Sequence, residues 1–233
     1  MGNSPNRQDL QWHDDPMTRW PDSPLYAIID PAQCGGRSQV DVAAALLAAG
    51  VRLIQLRDKH SSSGEIYASA RQLCECIRKA EGVFIVNDRA DVARAMDADG
   101  VHVGQDDLPV EAARALLGPG KLIGYSTHVL EQVREGDRST ADYIAFGPIF
   151  PTASKENPDA VVGLDGLREA RKATRKPLVA IGGISLENAR AVFEAGADSI
   201  AVISALLGAP DIRRRAEQFL EQADGAGKGT GWR

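Results

Sequence analysis

The chain has 233 residues, 43% hydrophobic and 25% charged. This is ordinary globular composition, with enough chain to bury a core without disulfide or metal staples. Against 32 Asp and Glu stand 27 Lys and Arg, a net charge of −5, which argues against a nucleic-acid partner, since such binders carry a basic domain or stripe.

Residues 1–23 read as a flexible N-terminal extension. They are polar, hold Pro5, Pro16 and Pro21, and lack the apolar stretch of a signal peptide. From 24 to 222 one rhythm repeats, short β-branched runs alternating with longer segments of helical period. The pattern predicts strand Leu25–Ile29 then helix Gln39–Ala49, Val51–Leu56 then Gly64–Ala80, Val83–Val86 then Arg89–Met96, and Gly100–Val103 then Pro109–Leu117. It continues with Leu122–Tyr125 then Val129–Glu135, Tyr143–Phe146 then Leu164–Ala173, Leu178–Ile181 then Leu186–Ala195, and Ser199–Ile203 then Asp211–Gln222. Residues 223–233 form a flexible, glycine-rich tail.

Eight strand–helix pairs at a mean spacing of about 25 residues describe an α/β chain folded as a single (β/α)8 TIM barrel. A doubly wound open sheet usually has fewer strands and a glycine fingerprint after the first, where this chain has Asp30-Pro31. No apolar run approaches the roughly 18 residues that span a bilayer, so no membrane partner is expected. Cys34, Cys74 and Cys76 are an odd set, consistent with reduced thiols and a cytoplasmic location. Cys74 and Cys76, two apart on a helix, point to different faces and make a poor metal pair. Arg213-Arg214-Arg215 reads as a solvated helix face.

Chemistry in such a barrel sits at the C-terminal ends of the strands. After strand two come Gln55, Arg57 and Lys59, alternate residues on one side, which suit a polyanion as readily as a solvated strand end. After strands three and four come Asn87-Asp88 and Asp106-Asp107. Two acids on adjacent loops can hold Mg²⁺ with waters and phosphate oxygens, or they can cap the helices that follow. Strand five ends in Tyr125-Ser126-Thr127-His128, and His102 lies within strand four; a lone histidine is more often structural than catalytic. The loop after strand six, through Thr152, Ala153, Ser154 and Lys155, resembles an anion clamp. Gly182-Gly183 and Ile203-Ser204 end strands seven and eight, where this fold often binds phosphate through backbone N–H groups. One half of the mouth therefore fits a monophosphate and the other a Mg²⁺-bound diphosphate, a pairing that suggests a transferase.

The segments QLRDK (55–59), NDR (87–89), GVHVGQDD (100–107), YSTH (125–128), FGPIFPTASK (146–155), VAIGGI (179–184) and GADSIAVIS (196–204) resemble the thiamine phosphate synthase family, in order, from Leu25 to about Leu207. The resemblance implies condensation of 4-amino-2-methyl-5-(diphosphooxymethyl)pyrimidine with a thiazole phosphate, carboxylated or not, to give thiamine phosphate and pyrophosphate by a Mg²⁺-assisted dissociative route. It implies that Gln55, Arg57, Lys59, Asn87, Ser126 and Lys155 contact the pyrimidine diphosphate, with Arg57, Lys59 and Lys155 catalytic. By the same resemblance Asp88 and Asp107 hold Mg²⁺, and Thr152, Ala153 and Ser154 with the backbone at Gly183, Ile203 and Ser204 bind the thiazole phosphate. Ile29, Ser154 and the stretch 156–162 depart from the family's usual pattern, and Tyr125 replaces a small aliphatic, which is expected to add bulk near the pyrimidine. The alternatives are a thiazole tautomerase-like isomerase or a non-catalytic phosphate-binding barrel; neither needs the second anion half. Exposed helices on such barrels often associate, so a homo-oligomer is compatible with the sequence.

Overall fold

A strand flanked by helices on the outside and by other strands' side chains on the inside must be apolar on both faces, and these strands are: LYAII, VFIVN and SIAV run with almost no charge. In the computed structural model, which describes residues 20–21, 23–152 and 159–227, they form a closed parallel barrel in chain order. The elements are β1 (Leu25–Ile29), α1 (Gln39–Ala48), β2 (Leu53–Leu56), α2 (Ser63–Lys79), β3 (Val83–Asn87), α3 (Ala90–Ala95), β4 (Gly100–Val103) and α4 (Val110–Leu117). They continue with β5 (Leu122–Thr127), α5 (Leu130–Arg138), β6 (Tyr143–Phe146), α6 (Gly163–Ala173), β7 (Leu178–Ile181), α7 (Leu186–Glu194), β8 (Ser199–Val202), α8 (Ser204–Leu207) and α9 (Ile212–Gly225). The predicted single (β/α)8 barrel is what the chain forms.

Boundaries differ where a backbone group is already engaged. Val51 is predicted to open a strand, but its N–H donates to the Leu46 carbonyl at 3.1 Å in the last turn of α1, and the ladder starts at Leu53. β5 runs two residues further than expected because Ser126 and Thr127 pair in register with Ala145 and Phe146. The four-residue α8 is absent from the sequence reading, being too short to show a helical period. Helix starts follow their capping chemistry: Ser62 and Glu65 bond reciprocally at the head of α2, and the Asp211 carboxylate accepts from Arg214 N–H at 2.9 Å at the head of α9.

The core has two parts. Between barrel and helices lies the larger, with Ile54, Phe84, Ile144 and Phe219 among its fully buried members; each such side chain stabilises the fold by roughly 1.5–3 kcal/mol. α9 packs against α1 and α7 and completes the helical ring. Inside the barrel the smaller core is built from alternate strand residues, including Ile28, Leu53, Ile85, Leu122 and Val179, with the rings of Tyr26 and Tyr143. Trp20 lies on these rings, its centroid 4.4 Å from that of Tyr143.

At the floor one device recurs on alternate strands. The carboxylates of Asp99, Asp142 and Asp198, each just before an even-numbered strand, accept from the N–H groups of Phe84 at 2.9 Å, Ile123 at 2.6 Å and Leu178 at 2.9 Å in the preceding strand. Arg114 pairs with Asp142, and Arg171 with Asp198 at 2.6 Å.

The interior has no slack at Gly124. A Cβ there would stand 2.1 Å from Tyr143 Cζ and 2.3 Å from His102 Nδ1. Gly124→Ala is expected to lower unfolding free energy by at least about 2 kcal/mol, as overpacking of a filled interior does. A urea midpoint equal to the wild type's counts against this packing.

Candidate active site

The barrel places the side chains after β1 to β5 around one half of its mouth. Arg57 and Lys59 each meet a carboxylate, from opposite neighbours. Arg57 Nη1 lies 2.7 Å from the Asp30 carboxylate at the end of β1, and Lys59 Nζ bonds the Asp88 carboxylate at the end of β3. Asp30 is itself fixed by accepting the Ala32 N–H at 3.0 Å, so a buried acid orients the guanidinium. From the sequence Asp30 is noted only as following strand one, with no role in the site; the signal was its place one residue past β1, beside Arg57, whose N–H donates to Ile29 O at 2.9 Å.

Asp88 does not cap α3. Arg89 occupies that position, and Asp88 sits in the left-handed region at φ 59°, its N–H donating to His102 O at 2.8 Å. A non-glycine residue held there is strained, and such strain concentrates at functional sites. The turn carries the Asp88 carboxylate within hydrogen-bonding reach of Asp107. Burial raises the Asp88 carboxyl above its ordinary range, the Lys59 ammonium opposes that, and Asp107 adds to it. Of the two acids after β4, Asp107 is thus the one that reaches Asp88; its Oδ2 also accepts the Gly104 N–H at 2.8 Å.

Among the described residues no three His, Cys, Asp or Glu groups cluster as a metal cage. Mg²⁺ does not need one, because it keeps waters and takes one or two carboxylates plus phosphate oxygens. Two abutting carboxylates repel each other unless a cation intervenes, so the Asp88–Asp107 pair has donor chemistry that fits this ion.

Beneath this half lie the inward residues Gln55, His102 and Ser126. Gln55 is buried and donates from Nε2 to Tyr26 Oη at 2.7 Å; His102 bridges Tyr143 Oη at 3.0 Å and Ser126 Oγ at 2.8 Å. Asn87 is half-buried and in register with His102. Tyr125 does not add bulk to this space. One residue from Ser126, it points to the other face of the strand, its ring reaching the backbone of α5 at Gly136 and its hydroxyl donating to Gln105 Oε1 at 3.1 Å. Gln105 in turn donates to Ser126 O at 2.7 Å.

The other half of the mouth is made by the ends of β6, β7 and β8. The N–H groups of Ile149 and Phe150 donate to Ile181 O and Gly182 O at 2.9 and 3.0 Å, docking the loop after β6 onto the end of β7. That docking explains the glycine pair: a Cβ on Gly183, at φ 63°, would lie 2.4 Å from Pro151 O. Asn188 bonds both Ser185 N–H and Gly183 O, holding the turn to α7. Ile203 precedes Ser204, which opens α8, and the Arg37 side chain donates to Cys34 O and Ala209 O at 2.8 Å each and to Leu207 O, bracing that helix from the first loop. Thr152 continues the docked loop, while Ala153, Ser154 and Lys155, and with them part of the atypical stretch 156–162, lie outside the described residues. His128 serves this loop, its Nδ1 standing 2.7 Å from Gly147 O and 3.4 Å from the Asp159 carboxylate.

A family described as thiamine monophosphate synthase matches residues 25–206. The chain is 52% identical over 202 residues to the thiamine-phosphate synthase of Koribacter versatilis, covering 84% of this chain and 94% of that one. It is 47% identical to the thiamine-phosphate synthase of Chloroflexus aurantiacus, over 84% and 90%. Among solved structures, thiamine phosphate pyrophosphorylase from Pyrococcus furiosus superposes with a TM-score of 0.80 at 36% identity, covering 91% of this chain and 99% of that one.

Burial holds the His102 imidazole down to about pKa 4, from an ordinary 6.5. Between those values the unfolded chain binds a proton that the folded one refuses. Stability from this group is therefore complete above pH 6.5 and is lost as pH falls towards 4, by up to about 3 kcal/mol. Urea midpoints taken across this window are expected to fall more steeply in the wild type than in His102→Asn; parallel curves would count against a neutral buried ring.

Proposed function

The chain belongs to the thiamine monophosphate synthase family, condensing the aminopyrimidine diphosphate with thiazole phosphate to thiamine phosphate and pyrophosphate, and from that premise we propose a Mg²⁺-assisted dissociative reaction across the two halves of the mouth. The observation that carries this reading is the set of Lys59, Asp88 and Asp107 on three adjacent strand ends, beside Arg57 and opposite the Gly183–Ser204 side.

In this reading Asp88 and Asp107 hold Mg²⁺, which when bound supplies positive charge to the diphosphate oxygens. Arg57 and Lys59, joined by Lys155, bind the same group and stabilise the charge that develops as the methylene C–O bond breaks and its electron pair leaves with pyrophosphate. Gln55, Asn87 and Ser126 hold the pyrimidine whose methylene carbon is left cationic. The thiazole nitrogen lone pair then forms the new C–N bond. Thr152, Ala153 and Ser154, with the backbone at Gly183, Ile203 and Ser204, hold the thiazole phosphate so that its nitrogen faces that carbon, and orientation here replaces a strong base. A tautomerase or a binding barrel leaves the Arg57–Lys59–Asp88–Asp107 half without a task.

We place all of this chemistry in the barrel, whose ordered part is wider than the expected unit 24–222: Trp20 packs on Tyr143 before it, and α9 continues through a buried Ala223 to Gly225 after it. Among the described residues no helix is long and apolar enough to cross a membrane. Small-molecule substrates, a cytoplasmic location and a homo-oligomer built through the outer helices belong to the same reading.

Pyrophosphate release is expected to require both substrates and Mg²⁺, to stop on chelation, and to fall by about 10²-fold or more in Asp88→Ala. A folded wild type that binds thiazole phosphate yet releases no pyrophosphate overturns the proposal. Asp30→Asn is expected to lower kcat/KM for the diphosphate about 10-fold through a misplaced Arg57, with KM for thiazole phosphate unchanged; equal losses for both substrates count against that positioning role.

A further inference from the structure

Five side chains from five strands make one unbroken hydrogen-bonded chain inside the barrel. Gln55 Nε2 donates to Tyr26 Oη at 2.7 Å, Tyr26 Oη lies 2.8 Å from Tyr143 Oη, Tyr143 Oη lies 3.0 Å from His102 Nδ1, and His102 Nε2 lies 2.8 Å from Ser126 Oγ. Gln55, Tyr26, Tyr143 and His102 are all buried, Tyr143 completely. The reaction proposed above gives no task to Tyr26, Tyr143 or His102. The two ends of the chain, by contrast, are the groups that face the pyrimidine in the reading above.

The Gln55 amide nitrogen, donating to Tyr26, sets the direction of the chain, and proton counting carries it to the other end. A phenol has one hydrogen to donate, and a buried donor left unpaired is costly. Tyr26 accepts from Gln55, so its own hydrogen goes to Tyr143. The hydrogen of Tyr143 then goes to His102 Nδ1. A neutral imidazole accepting at Nδ1 carries its proton on Nε2, and that proton goes to Ser126 Oγ. The hydrogen of Ser126 is left over and turns to the mouth. At the far end, Gln55 has committed its amide nitrogen inwards, which leaves its carbonyl oxygen for a ligand. Reversing one link alone leaves two donors or two acceptors facing each other elsewhere in the chain, so the two ends cannot change role independently.

We infer that this one-way chain is a specificity device, in which Tyr143 and Tyr26 act as positioning residues that present Gln55 to the ligand as an acceptor and Ser126 as a donor. That polarity matches a pyrimidine bearing an exocyclic amino group. Its N–H meets the Gln55 carbonyl, and Ser126 donates to an acceptor on the same ligand. A 4-oxo pyrimidine offers the inverted pattern, a carbonyl towards Gln55 and a ring N–H beside it. Discrimination of this kind is strong because the mismatched ligand leaves buried polar groups unpaired. The inference rests on the pyrimidine site proposed above and extends it to what sets the site's polarity.

The test has two arms on the full-length protein. In ¹⁵N-histidine-labelled enzyme, with the His102 signals identified by their absence from His102→Gln, the nitrogen shifts are expected to report the Nε2–H tautomer. Calorimetry with the 4-amino and 4-oxo pyrimidine diphosphates, without thiazole phosphate, is expected to give the wild type a preference of about 100-fold or more for the amino form. That preference is expected to drop about 10-fold in Tyr143→Phe and in Tyr26→Phe, with thiazole phosphate affinity unchanged. Using affinity keeps the intrinsic reactivity of the two pyrimidines out of the comparison. An Nδ1–H tautomer, or a wild-type ratio in both variants, overturns the chain as a specificity device and leaves the synthase reading standing. A wild type that binds neither pyrimidine, with the tautomer as expected, overturns the ligand class instead.

Discussion

Closing eight strands on themselves leaves one interior too narrow for anything but the strands' own side chains, and each strand contributes only two or three of them. Parity therefore decides the role of every residue in a strand. Ser126 enters the interior and Tyr125, one residue earlier, is sent out to α5. His102 faces inwards while its neighbours Val101 and Val103 join the outer core. The same rule that fills the barrel with Ile28, Leu53 and Val179 near its floor places Gln55, Asn87, His102 and Ser126 one layer higher. Gln55 and His102 can be buried there because Tyr26, Tyr143 and Ser126 meet their polar atoms.

The cations at the mouth obey a second constraint. A guanidinium or ammonium held ready for an anion needs a counter-charge while the anion is away, and one too strong would compete with the ligand. Arg57 has a buried partner in Asp30, which is held in place by capping the turn that follows β1 and so serves as a fixed rest. Lys59 instead rests on Asp88, which already faces a second carboxylate. The first pairing orients; the second leaves a cluster of two acids and one cation whose balance a divalent ion and a diphosphate together would complete.

Much of this was legible in the sequence. Alternating apolar runs and helical periods give the barrel almost residue by residue, and the polar residues past each strand mark its working end. What escaped were properties of register and closure. Val51 has the composition of a strand residue and spends its amide on α1. Tyr26 and Tyr143 read as ordinary core residues until the strands are closed into a ring, for only then do residues 117 apart bring their hydroxyls together. For Asp88 the sequence leaves a helix cap open beside a metal ligand, because nothing local announces a left-handed backbone at an aspartate. Gly182 and Gly183 were legible as a phosphate turn, but the loop after β6, packed against them, also requires glycine.

The acids at the floor have a consequence for chain connectivity. Asp99, Asp142 and Asp198 each join an odd-numbered strand to the even-numbered one after it, across 15, 19 and 20 residues of sequence. Every such tie stays inside one βαβ unit and none crosses the connection between α2 and β3. Circular permutation that opens the chain at that connection and joins the natural ends thus leaves every floor tie within a continuous stretch of polypeptide. Contacts this local cost little loop entropy to close, so each unit brings its own means of assembly to whichever order the ribosome delivers.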